Sequence, residues 1–258
     1  MPDNRRPSPL LLLTEPGRAA AEYGAHLAAG PVLRRAPRGE GRPVLVLPGF
    51  LADDRSTLPL RRLLRSLDYR VHGWRLGRNL GPTQEIVEGL AARVSGLVEE
   101  DGEPISLVGW SLGGVFSRGL AFVAPEMVRM VVTLGSPYLG AGGVPSHASR
   151  RFRQLSDRHL DLEGVSALAD RNQLAVPASS IYSRLDGIVA WETCVDGPGV
   201  RRENIEVVAS HIGLGFHPAA LWAMTDRLAQ DPDRWAPFRP PAVLRGLYPA
   251  PAVWSGAA

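Results

Sequence analysis

The 258-residue chain contains no lysine: its 29 basic residues are all arginine, set against 26 acidic residues for a formal charge of +3. Arginine together with abundant Ala, Gly and Pro matches the residue usage of a GC-rich genome. No basic run is interleaved with aromatic side chains as a nucleic-acid groove requires, so no nucleic-acid partner is expected. Cysteine is almost as scarce. Cys194 alone cannot form an internal disulfide or build a metal site, which points to a reducing compartment and to chemistry without metal or cofactor. Long apolar runs are also missing, with no stretch near the roughly 18 residues of a membrane span. Arg5-Arg6 followed by Leu10 to Leu13 has the outline of a signal sequence. The run is too short for an h-region, and Thr14-Glu15-Pro16 interrupts it. A cytoplasmic protein without stable membrane insertion is expected, its oligomeric state left open. There are no internal repeats.

What the chain does have is a succession of short apolar runs separated by helical patterns. Val44-Leu45-Val46-Leu47, Ile105-Ser106-Leu107-Val108 and Val128 to Leu134 suit strands buried on both faces of a parallel sheet. Val176 to Ser183 and Ile205 to Val208 extend the series, and Arg70 to Trp74 adds a shorter strand. Helices are expected at residues 60–67, Thr83 to Glu100, after Trp110, and Pro218 to Ala229. Strand, helix, strand repeated in this way predicts an α/β fold with a mostly parallel central sheet and helices on both faces. Residues 1–42 form an N-terminal extension with one helix, Thr14 to Ala29, packed outside the sheet, and residues 1 to about 9 are expected to be disordered. The main domain covers 43–230 with a helical cap insertion at 138–173, and a Pro-rich tail covers 231–258.

Gly109-Trp110-Ser111-Leu112-Gly113-Gly114 has the pattern G-x-S-x-G between a strand and a helix. A sharp turn there strains the serine backbone and exposes its hydroxyl, while glycines two before and two after let strand and helix approach. Ser111 is the expected nucleophile. A serine hydroxyl is a poor nucleophile at its own pKa, so a base must lie within hydrogen-bond reach and an acid must orient that base. Among His26, His72, His147, His159, His211 and His217, His211 follows the last strand directly and is favoured as base; His217 begins the last helix and is expected to cap it or line the pocket. Asp186, beside Gly187 and straight after a strand, is favoured as acid over Asp196, and Asp157, Asp161 and Asp170 belong to the cap. The backbone amides of Leu112 and Phe50, with Leu51 as the next choice after Phe50, are expected to receive the negative charge that develops on the substrate oxygen.

With these segments assembled, the chain resembles the α/β-hydrolase superfamily, specifically its lipase-like serine esterases, across residues 43 to about 230. The resemblance rests on Gly109 to Gly114, on Val132-Thr133-Leu134-Gly135-Ser136-Pro137, on Asp186-Gly187-Ile188-Val189 and on Ser210-His211, in that order. It implies Ser111 as nucleophile, Asp186 as acid, His211 as base, and Phe50 and Leu112 as oxyanion donors. Many relatives carry His-Gly where this chain has Pro48-Gly49, and a His where it has Tyr138, which bears on pocket polarity. The expected activity is hydrolysis of a small-molecule ester with an apolar acyl group, bound among Leu51, Trp110, Leu139, Trp191, Leu214 and Phe216. The same triad would serve an acyltransferase or thioesterase, and a binding protein that keeps the fold is a third possibility.

Overall fold

Alternate residues of the first strand pack into different cores, and this organises the molecule. The computed structural model describes residues 6–137, 146–149, 152, 154–155 and 174–250. In strand β1 (Pro43–Leu47) every residue is buried, yet Val44 and Val46 belong to one apolar cluster and Leu45 and Leu47 to another. Side chains on a strand alternate between its faces, so a continuous apolar run serves a sheet covered on both sides. Burying each such Val or Leu is worth about 1.5–3 kcal/mol.

The sheet has six strands in the order β2-β1-β3-β4-β5-β6, with β2 (Arg70–Gly73), β3 (Ile105–Trp110), β4 (Val128–Leu134), β5 (Ala178–Tyr182) and β6 (Arg202–Glu206). Each neighbouring pair is parallel. One face is covered by α2 (Gly30–Leu33), α3 (Leu58–Ser66) and α6 (Pro218–Ala229), the other by α4 (Gln84–Asp101) and α5 (Leu112–Val123). Local chemistry sets the ends of α4: the Thr83 hydroxyl accepts from Ile86 N–H, and Gly102 closes the helix at φ 71°, a left-handed conformation that glycine takes without strain.

Two expectations need correction. Strand β6 begins at Arg202, three residues before the apolar segment Ile205 to Val208, and Val208 is exposed. It is an edge strand, paired on one side with β5 from Ala178↔Arg202 to Tyr182↔Glu206. Its polar first half therefore satisfies the ladder while remaining partly solvated. Helix α1 runs Pro9–Ala28, not from Thr14, because the Ser8 side chain caps it, accepting from Leu10 N–H, and Pro9 occupies its first position. The four leucines of the apparent signal sequence lie within this helix. No described helix is long and apolar enough to cross a membrane.

Most of segment 138–173, expected to form a cap and including Leu139, His159, Asp157, Asp161 and Asp170, lies outside the described residues. Of its described part, Ser146 bridges Val189 and Phe152 stacks edge-on against Phe50 at 5.3 Å between ring centres. The described part of the tail returns to the core: Phe238 and Tyr248 pack together, and the Tyr248 hydroxyl donates to the Ala219 carbonyl at 2.9 Å.

Candidate active site

Ser111 ends strand β3 and starts α5 with φ 53° and ψ −123°, a region an L-residue occupies only under constraint. The constraint comes from both sides. Ser111 N–H donates to the Leu134 carbonyl at 2.8 Å. A Cβ on Gly109 would strike the backbone of Gly114, and one on Gly113 would strike the carbonyls of Leu47 and Pro48, so only glycine permits the crossing of strand, helix and β1 loop. The turn leaves Ser111 partly exposed.

The loop after β1 lies against the serine: a Cβ on Gly49 would sit 3.2 Å from Ser111 Cβ and 3.8 Å from its Oγ. The two candidates for the oxyanion donor in this loop are separated by their partners. Leu51, at φ 62°, spends its N–H on the Asn79 carbonyl at 2.7 Å, whereas no described residue accepts from Phe50 N–H or from Leu112 N–H at the start of α5. First-turn helix amides have no partner within the helix and favour negative charge.

Asp186 and His211 meet after β5 and β6. His211 Nδ1 donates to Asp186 Oδ2 at 2.5 Å with both side chains buried, while Asp186 Oδ1 accepts from the N–H groups of Ile188 (2.8 Å) and Val189 (2.7 Å). These bonds aim the carboxylate. Burial alone would lower the His211 pKa, but the charge and hydrogen bond of Asp186, aided by Glu15, hold it above the ordinary value. Gly135, at φ 55°, follows β4 beneath this pair; a Cβ there would lie 3.2 Å from His211 Nδ1 and 3.3 Å from Asp186 Oδ2. Trp110 Nε1 donates to the His211 carbonyl at 3.1 Å, tying the loop of His211 to strand β3. Among the described residues Ser111 Oγ forms no hydrogen bond, and catalytic contacts of this kind commonly tighten only with substrate bound.

The rival residues are occupied elsewhere. Asp196 is buried against Arg118 (2.8 Å) and Arg202 (3.6 Å). His217 caps α6, its Nδ1 accepting from Ala219 N–H at 3.3 Å, and burial lowers its pKa. His147 contacts the Pro7 carbonyl at 3.1 Å.

Comparisons with models of known families and with curated proteins give no match. Solved structures do match. Aspergillus fumigatus lipase B is similar with a TM-score of 0.55 and 18% identity, covering 76% of this chain and 55% of that one. A structure reported for the metagenome-derived lipolytic enzymes LipS and LipT is similar at 0.52 and 16%, covering 74% of this chain and 93% of that one. The mature Bacillus licheniformis lipase BlEst2 is similar at 0.52 and 14%, covering 75% of this chain and 94% of that one. This chain has the α/β-hydrolase fold. It spans little more than half the length of lipase B.

In this α/β-hydrolase fold the apolar side chains expected to bind substrate are scattered. Trp110 and Leu214 are buried in the core that α6 covers. Trp191 stacks on Tyr182 at 5.8 Å under the Arg184 guanidinium, and Phe216 packs edge-on against Tyr23 of α1 at 5.5 Å. Phe50 and Leu51 follow Gly49, which packs against Ser111, and Leu51 is 37% exposed.

Four supporting residues escaped the sequence reading. Ser183 Oγ donates to the Ala209 carbonyl at 2.6 Å and accepts from Ala209 N–H at 3.1 Å, joining the acid and base segments. Glu15 and Glu22 of α1 reach the same segments. Asn79, in the loop after β2, is fully buried: its Nδ2 donates to the Pro48 carbonyl at 2.8 Å and its Oδ1 accepts from Gly81 N–H at 3.2 Å. No local pattern marks its tie to the loop after β1, because Pro48 is 31 positions away. Asn79→Ala is expected to cost about 1–3 kcal/mol, as two buried backbone groups lose their partners. The check is a lowered urea midpoint at unchanged slope.

Proposed function

We propose that the protein is a serine hydrolase that cleaves carboxylic esters through an acyl-enzyme. The observation that carries this reading is the buried 2.5 Å contact of His211 with Asp186, tied by Trp110 Nε1 to the strand that leads into a serine held at φ 53°, with the Phe50 and Leu112 amides donating to no described residue. Ser111 Oγ attacks the ester carbonyl carbon as His211 Nε2 takes its proton. Asp186 holds the Nδ1–H tautomer and stabilises the imidazolium that forms. The oxyanion rests on Phe50 N–H and Leu112 N–H, donors already in place before charge develops. Collapse of the tetrahedral intermediate breaks the bond to the alkoxy oxygen, which leaves as alcohol with the proton from His211. His211 then takes a proton from water, whose oxygen attacks the acyl carbon, and regenerates Ser111. Aromatic and aliphatic side chains on the loop after β1, Phe50 and Leu51, with Phe152 against Phe50, favour an apolar acyl group.

A fluorophosphonate probe tests this directly. One equivalent is expected to phosphonylate the peptide carrying Ser111 and to abolish release of p-nitrophenol from p-nitrophenyl esters in proportion to labelling. Modification of another residue, or hydrolysis that persists after full labelling, contradicts the reading.

A further inference from the structure

Helix α1 lies more than 150 positions from the acid and base segments in sequence, yet it holds both. Glu15 is 1% exposed. Its Oε1 accepts from Gly187 N–H at 2.7 Å and from His211 N–H at 3.0 Å, and its Oε2 accepts from Ile212 N–H at 3.1 Å. Arg18 donates to the same carboxylate at 3.0 Å and to the Leu185 carbonyl at 2.8 Å. Two turns further along, Glu22 accepts from Ser210 N–H at 2.7 Å and from its hydroxyl at 2.5 Å. The approach of the helix is close: a Cβ on Gly187 would lie 2.5 Å from the Leu11 carbonyl group.

Asp186 and His211 sit on loops from different strands, so the length of their contact depends on how those loops are placed relative to each other. Ser183 joins the two segments on one side. Glu15 joins them through the peptide groups adjacent to the acid and at the base itself. A buried carboxylate is costly unless its lone pairs are filled, and here three backbone donors and a guanidinium fill them. We propose that Glu15 is a positioning residue whose carboxylate clamps the loop of Asp186 to the loop of His211 and thereby sets the acid–base geometry. The proposal rests on the triad reading above.

Its charge also acts on the base. The charged and titratable groups around His211 are Asp186 from the acid loop and Glu15 from α1, with Arg18 and Glu22 on the same helix and Cys194 buried near Asp186. Both carboxylates favour the imidazolium, against burial. Without the charge of Glu15, the neutral imidazole forms at lower pH.

The test is Glu15→Gln in the full chain, assayed with p-nitrophenyl esters across pH, with active sites counted by fluorophosphonate titration. Expected are a fall in kcat per titrated site of about tenfold or more, as small misplacements of catalytic groups produce, a KM within about twofold of wild type, and an acid limb of kcat/KM moved to lower pH. Wild-type kcat per site overturns the proposal. So does a loss of rate that only mirrors the loss of titratable sites with the acid limb unmoved, because a purely structural role gives that result. If Glu15→Gln fails to fold, Glu15→Asp takes its place, keeping the charge but drawing the oxygens back by one methylene. A lowered kcat per site with the acid limb as in wild type supports the clamp, and an unchanged kcat overturns it. Ser111→Ala prepared alongside separates the two ideas: if it is as active as wild type the triad reading fails, whereas an inactive Ser111→Ala with a fully active Glu15→Gln sinks the clamp alone.

Discussion

Ser111→Ala is expected to slow turnover of p-nitrophenyl esters about 10⁶-fold, the scale on which loss of the nucleophile acts in enzymes of this chemistry. The magnitude follows from removal of the acyl-enzyme route, since no other hydroxyl occupies the turn between β3 and α5. His211→Ala is expected to match it, because the serine hydroxyl then lacks a proton acceptor, and the double variant is expected to be no worse than either single one. A residual rate about 10³–10⁴-fold above that in water is expected to persist, since the Phe50 and Leu112 amides still stabilise the oxyanion. Steady-state rates of the three variants on esters of graded chain length provide the check. An additive double variant, or a Ser111→Ala protein within tenfold of wild type, contradicts the assignment.

Asp186→Asn carries the second largest effect, about 10⁴-fold in kcat, and here the structure supplies a specific reason. The N–H groups of Ile188 and Val189 both donate to Oδ1, so in the variant the amide oxygen stays at that position. The NH₂ group then faces His211 Nδ1. Nδ1 must accept, which leaves the proton on Nε2, the tautomer that cannot take a proton from Ser111. The pH profile separates this from general damage. A base whose pKa is raised must lose its proton before it can act, so the acid limb of kcat/KM in the wild type is expected to have its midpoint above about 6.5. Removing the Asp186 charge leaves burial as the main influence on the imidazole, and the limb is expected to move to lower pH. A limb that stays in place counts against the pairing as the source of the shift.

Both predictions concern residues that stand in recognisable local contexts. Ser111 lies in a G-x-S-x-G turn whose first glycine, Gly109, is required by a contact a few residues away, against Gly114, while Gly113 is required by the carbonyls of Leu47 and Pro48 at the end of β1. Strands β1, β3 and β4 are apolar runs because both their faces are covered, and burial of that kind shows in composition. Strand β6 was misplaced by three residues because an edge strand with a solvated first half carries no such signature. Trp110 and Leu214 are expected at the substrate and lie in the core that α6 covers, since an apolar side chain suits a pocket wall and a packed core equally well.

The amino-acid sequence alone was enough for the alternation of strands and helices, the turn at Ser111 and the order of serine, aspartate and histidine along the chain, since each shows in residue types and spacing within a few positions. Folding had to bring Asp186 to 2.5 Å from His211, assign the Leu51 amide to Asn79 while leaving Phe50 unengaged, and lay Glu15 across the loops of both acid and base. Those contacts join segments 25 to nearly 200 positions apart. A hydrogen bond at that separation leaves no periodicity or spacing in the chain, because its geometry is set by the packing of whole elements around the sheet.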